Sequence, residues 1–149
     1  MTALIELPAV PTREQIEMLQ AQLLKLPQVE PKTTHRFADG MYAREVFRTA
    51  GTLIVGKVHK KEHFFVVLAG ELTLWTEAGM KRVTAPFIWV SQPGTKRVTY
   101  AHTDAIALTV HQVSSRDLES IEAELVEHEV ASPFGVGNVL LPDILEALT

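Results

Sequence analysis

From residue 33 to residue 113, short apolar segments alternate with turn residues every eight to twelve positions, and no helical periodicity interrupts them. That rhythm restricts the region to antiparallel sheet. Parallel strands need a crossover of about a dozen residues or more, usually a helix, and no segment here supplies one. The spacing predicts strands at Met41–Phe47, Thr52–Val58, Phe64–Ala69, Glu71–Thr76, Met80–Val83, Phe87–Val90, Arg97–Ala101 and Ala105–Val113. Ala50-Gly51, Gly70, Glu77-Ala78-Gly79 and Pro93-Gly94 mark the turns. Eight such strands fold as an antiparallel sandwich or barrel. The run from Phe64 to Leu68 is apolar on both pleat faces, so it is expected to be covered on both sides.

The flanks read differently. In residues 1–32, Thr12-Arg13-Glu14-Gln15 has capping-box form, and Ile16, Leu19, Leu23 and Leu26 follow at helical spacing until Pro27. This arm is expected to pack its apolar face on the barrel or on a second subunit. In residues 114–149, Ser114 or Ser115 precedes a helical pattern over Arg116–Glu127. A Gly- and Pro-rich stretch from Ser132 to Asn138 follows, then Pro142, where a last short helix is expected to begin. This apolar tail is expected to dock on the barrel or on a neighbouring chain. The organisation is thus an N-terminal helical arm (1–32), a barrel (33–113) and a C-terminal helix with a docking tail (114–149).

Composition removes several functional classes. There is no cysteine, which excludes disulfide scaffolds, thiolate zinc sites and cysteine nucleophiles. Fourteen Lys+Arg stand against eighteen Asp+Glu with no basic block, a pattern that gives no support to a nucleic-acid surface. Glu6 and Pro8 interrupt the first apolar residues, unlike a signal peptide, and the longest apolar run is far too short to span a bilayer. A soluble, cytoplasmic protein without membrane contact is expected.

The chemistry concentrates between Gly51 and Gly70, where Lys57, His59 and His63 fall within one strand-turn-strand unit. Lys57 and His59 share a pleat face with Leu53 and Val55, and His63 shares one with Phe65 and Val67. A further histidine, His111, lies late in the last strand. It shares a face with Thr109 and Ala107, while Ile106, Leu108 and Val110 take the other. If the bulkier face is interior, His111 points away.

The spacing of these residues resembles the first motif of the cupin superfamily, G-x5-H-x-H-x3-E-x6-G. Gly51 and Gly70 stand at its glycines, and its three internal positions fall on Lys57, His59 and His63. The second motif, G-x5-P-x-G-x2-H-x3-N, is followed more loosely. Gly94 is kept, Pro86 replaces the first glycine, Pro93 is shifted by one, and Arg97 replaces the histidine. Uncharacterised cupin-like proteins encoded by bacterial viruses carry stretches similar to His59–His63 and Trp75–Arg82. The resemblance implies a mainly β, antiparallel cupin-type double-stranded β-helix barrel with flanking helices, usually dimeric. A homo-oligomer is therefore expected, with Leu19, Leu23 and Leu26, or Phe134 and Val136, as its apolar surface.

Metal-dependent cupins hold a divalent cation on three histidines and a glutamate. Here His59 is kept and His63 replaces the glutamate with another competent ligand, while Lys57 and Arg97 are cationic. With His111 as third donor, a Zn, Fe, Ni or Mn site is expected. Without it, Lys57 and Arg97 turn the same positions into a site for a small anionic ligand. Two other functions stay open: a non-enzymatic structural or assembly protein, possibly viral, that keeps the fold with a degraded metal site, and a metal-free enzyme of the sugar-epimerase kind. The sequence names no catalytic residue and no substrate.

Overall fold

The computed structural model describes residues 8, 10–76 and 79–128. In chain order the elements are α1 (Arg13–Leu23), β1 (Lys32–Ala38), β2 (Met41–Arg48), β3 (Leu53–Val55), β4 (His63–Ala69), β5 (Glu71–Thr76), β6 (Gly79–Thr84), β7 (Phe87–Ser91), β8 (Val98–Ala101), β9 (Ala105–Gln112) and α2 (Leu118–Leu125). Every strand pairing is antiparallel. One sheet has the order β1-β2-β9-β4-β7 and the other β3-β8-β5-β6. The eight expected strands are present. The additional one, β1, is polar and half-exposed at a sheet edge, so it carries no apolar alternation to announce it.

The two sheets close over a core of Phe65, Val67, Leu72, Leu74, Val83, Ala101, Ala105 and Ala107. Gly70 makes the β4–β5 turn at φ +84°, and a Cβ there would collide with the backbone of Asp104 and Ala105. The motif glycine is thus required both by its left-handed conformation and by the close approach of the chain entering β9.

The capping box of α1 forms as its sequence predicts. Gln15 N donates to Thr12 Oγ1 at 3.2 Å and Thr12 N to Gln15 Oε1 at 2.9 Å. The helix ends at Leu23, three residues earlier than the apolar spacing suggests. The Gln28 side chain donates to the Leu23 and Leu26 carbonyls, which satisfies acceptors at the helix end. Ile16 and Leu19 are buried against Trp75 and Val98, with Leu23, Leu53, Val55 and Tyr100 around them. Helix α1 therefore covers the outer face of the four-stranded sheet of its own chain. Of the expected interface leucines, Leu19 is consumed by this packing and Leu26 alone is well exposed. Asp117 caps α2 in place of Ser114 or Ser115, with Ser120 N donating to Asp117 Oδ2 at 3.0 Å. Among the described residues, no helix is long and apolar enough to cross a membrane. The Ser132–Asn138 stretch, the helix expected at Pro142 and the interface residues Phe134 and Val136 lie outside the described residues.

The five-stranded sheet departs from its sequence reading. Phe64 and Leu68 are each 50% exposed, so β4 is not covered on both sides within this chain. Met41, Phe47, Ile88 and Val90 on the neighbouring strands are exposed as well. The outer face is apolar across β9, β4 and β7, and on β2 and β1 it is broken by the Glu45–Arg36 pair.

Candidate functional site

The site lies at the end of the five-stranded sheet where β4 begins and β9 ends. Pleating sends His63, Phe65 and Val67 inward from β4, all three buried. On β9 it is the small face that turns inward. Ala105, Ala107 and His111 are buried, while Ile106, Leu108 and Val110 are half-exposed on the outside. His111 thus points into the barrel. The interior already holds Phe65 and the β5 leucines, so alanines on β9 are what fit there.

His59 reaches the same place by another route. Strand β3 stops at Val55, and Leu53 and Val55 pack outward under α1. The expectation that they share a pleat face with Lys57 and His59 therefore does not hold, because the strand ends before Lys57. Residues 56–62 run as irregular backbone anchored on both sides. His59 forms a single antiparallel bridge with Val126, Lys60 N donates to the Leu125 carbonyl at 2.7 Å, and Glu127 N to the Val58 carbonyl at 2.9 Å. From the other side, Gly94 N donates to the His59 carbonyl at 2.9 Å.

The three imidazoles meet. Ring centroids are 4.3 Å apart for His59 and His63, 4.6 Å for His63 and His111, and 5.3 Å for His59 and His111. His63 Nδ1 lies 3.1 Å from the Lys61 carbonyl, which can only accept, so in the neutral ring the proton sits on Nδ1 and Nε2 carries the lone pair. His111 Nε2 is hydrogen-bonded to Thr109 Oγ1 at 2.9 Å. Burial, then neighbouring positive charge, holds His59 down to about 2 and His111 down to about 3. Both are neutral at physiological pH, the state in which imidazole binds metals.

The expected cations divide. Arg97 enters the interior: its guanidinium carbon lies 4.1 Å from the Phe65 ring centroid, and Nη1 donates to the buried Ser91 Oγ at 3.1 Å. Its charge is felt by both His59 and His111. Lys57 turns towards α2, with Nζ 4.0 Å from Glu122 Oε2. The other oxygen of Glu122 pairs with Arg44 at 2.6 Å, and both side chains are largely buried. Arg44 also donates to the hydroxyl of Tyr42, which His35 Nδ1 meets at 2.6 Å. The sequence reading placed none of Tyr42, Arg44, Arg48 and Glu122 at the site. The available signal was the alternation of β2. Tyr42, Arg44, Val46 and Arg48 share one face, but Met41 and Phe47 on the other look like the better interior.

The donor chemistry suits a divalent cation: clustered imidazoles, one of them oriented by a backbone carbonyl as ligating histidines commonly are. Their orientation is another matter. The His59 and His111 rings are 8° from parallel, so their in-plane lone pairs do not aim at one point. Among the described residues, no three His, Cys, Asp or Glu side chains are placed to hold a metal ion as they stand.

No protein-family model and no curated protein matches this chain. Solved structures do. A cupin-2 domain from Rhodospirillum rubrum is similar with a TM-score of 0.53 at 11% identity, covering 62% of this chain and 66% of that one. KdgF from a Halomonas species gives 0.52 at 12% identity, covering 59% and 84%. An RmlC-like cupin from Shewanella frigidimarina gives 0.51 at 18% identity, covering 59% and 80%. At these identities the likeness establishes the fold, which is that of the cupins, and leaves the chemistry to the residues.

Proposed function

We propose that this cupin-fold barrel is a small-molecule binding protein whose interior holds a divalent cation on His59, His63 and His111. The observation that carries the reading is the meeting of three imidazoles from separate parts of the chain: a clamped loop, the start of β4 and the end of β9. Three imidazole nitrogen donors form a set that Zn, Fe, Ni or Mn accepts, with positions left for an exogenous ligand. Ring rotation about the side-chain torsions is what turns stacked imidazoles into convergent ones. A cation held there would act as a Lewis acid on a ligand oxygen. The chain's own residues supply the rest. Lys61 fixes the His63 tautomer through its carbonyl, Thr109 holds His111, and α2 clamps the His59 segment. Arg97 and Arg44 bring positive charge beside the cluster, so a cation there requires an anionic co-ligand.

The test is elemental analysis and calorimetric titration of tag-free protein with Zn²⁺, Ni²⁺ and Mn²⁺. About one equivalent is expected, lost in the His59→Ala, His63→Ala double variant. Equal binding by the double variant, or none by the wild type, overturns the reading.

The exposed apolar face of the five-stranded sheet favours a second reading: the barrel assembles with copies of itself through this face, as a dimer. That role suits a structural or assembly protein, and it coexists with ligand binding.

A further inference from the structure

Arg48 stands at the end of β2, opposite Ala105, whereas Tyr42 at the other end lies opposite His111. Its side chain therefore enters the barrel from the end remote from the imidazoles. It is 8% exposed. Nη1 donates to the buried Thr99 Oγ1 at 2.6 Å, and Nε is buried with no hydrogen-bond partner. Among the described residues, none of the ion pairs includes Arg48. The charged group that acts on it is Arg97, of the same sign. Both guanidinium carbons lie over the same Phe65 ring, at 5.9 Å for Arg48 and 4.1 Å for Arg97.

A buried guanidinium with an unsatisfied N–H and a like charge as neighbour is costly. The face of one aromatic ring offsets only part of that cost. An oxyanion reverses the balance. It accepts from the Arg48 fork, neutralises the repulsion between the two cations, and meets hydroxyls at Thr99 and Ser91, both already bonded to the arginines. We propose that Arg48 and Arg97 form an anion site over Phe65, deeper in the barrel than the histidine cluster, that takes the carboxylate or phosphate group of a small molecule. Burial and Arg97 lower the Arg48 pKa to about 9, which leaves it charged at neutral pH; a bound anion raises it again. This site stands without the metal. The cations belong to β2 and the segment before β8, and none of the three imidazoles contributes to the argument.

The experiment uses the full chain, treated with chelator and titrated with inorganic phosphate or succinate against sodium chloride at matched ionic strength. The readouts are thermal unfolding and calorimetry. Saturable binding by one or both oxyanions, with the midpoint raised by about 5–10 °C at a large excess over Kd, is expected. Phosphate alone identifies a phosphate site, and succinate alone a carboxylate site. Arg48→Met is expected to be at least as stable as wild type without anion and to bind at least tenfold more weakly. A merely structural arginine gives the opposite pattern: a destabilised variant with its anion response intact. Arg48→Lys serves if the methionine variant does not fold, and it too is expected to lose the response, because a point charge does not reproduce the fork. The His59→Ala, His63→Ala variant is expected to keep it, which separates this site from the metal reading. No saturable response in the wild type, or an equal response in Arg48→Met, overturns the proposal.

Discussion

His59 and Val126 pair in one antiparallel bridge, so the residue after helix α2 holds the backbone of a residue at the mouth of the barrel. The bridge is reinforced on the same helix by Arg44–Glu122 at 2.6 Å and Lys61–Glu124 at 2.6 Å. The C-terminal helix is therefore part of the site's architecture. It fixes His59, while the pleat of β4 and β9 fixes the other two imidazoles.

Glu122 is the carboxylate on which that closure depends. It is buried between Arg44 and Lys57, so Glu122→Ala leaves the Arg44 charge largely buried without its partner. A loss of about 3 kcal/mol is expected, at the lower end of the cost of breaking a buried pair because neither side chain is completely enclosed. Urea denaturation measures it. Lys61→Ala, which breaks an exposed pair, is expected to leave the urea midpoint nearly unchanged.

Stability of the chelated protein should fall as pH drops through the weakly acidic range. The folded-state pKa values of His59 and His111 lie near 2 and 3, below the ordinary 6.5. The unfolded chain therefore takes up protons below about pH 6.5 that the folded chain refuses. Above pH 6.5 the two residues contribute no pH dependence, and the loss grows steadily towards pH 3. At pH 5 it amounts to as much as about 2 kcal/mol per histidine. Denaturation at pH 7.5 and pH 5 checks this, and His111→Gln should reduce the slope. An unchanged slope in that variant contradicts the burial of a neutral His111.

The outer face of the five-stranded sheet should carry the assembly. Ile88 is 65% exposed and Phe64 50%, on adjacent strands β7 and β4. Sedimentation is expected to show a dimer for the wild type and a monomer for the Phe64→Ser, Ile88→Lys double variant. Its thermal midpoint should move little beyond the loss of association, because neither side chain contributes to the barrel core. A dimer that survives both changes places the interface elsewhere.

Much of the fold was legible because its signals are local. Gly70 announces its turn because no other residue fits there, and Thr12 with Gln15 announces a helix start through two hydrogen bonds within four residues. The pairing of His59 with His63 was legible through motif spacing. Arg48 was not, since a cation at a strand end ordinarily reaches solvent. Nor was β1, a polar edge strand that its neighbour organises.

The sequence by itself determined where eight of the nine strands, the turns between them and the start of α1 lie, because alternation, capping and glycine conformation are written within a few residues of each position. Tertiary structure alone decided which pleat face is interior. A period of two divides a strand into two faces without ranking them, and on β2, β4 and β9 both faces carry apolar residues. Closure of the two sheets ranked them by fit. Alanines on β9 and the Tyr42-to-Arg48 face of β2 turned inward, around a space already filled by Phe65 and the β5 leucines. That choice carried His111 and Arg48 inside, and it left Phe64, Leu68 and Ile88 facing outward.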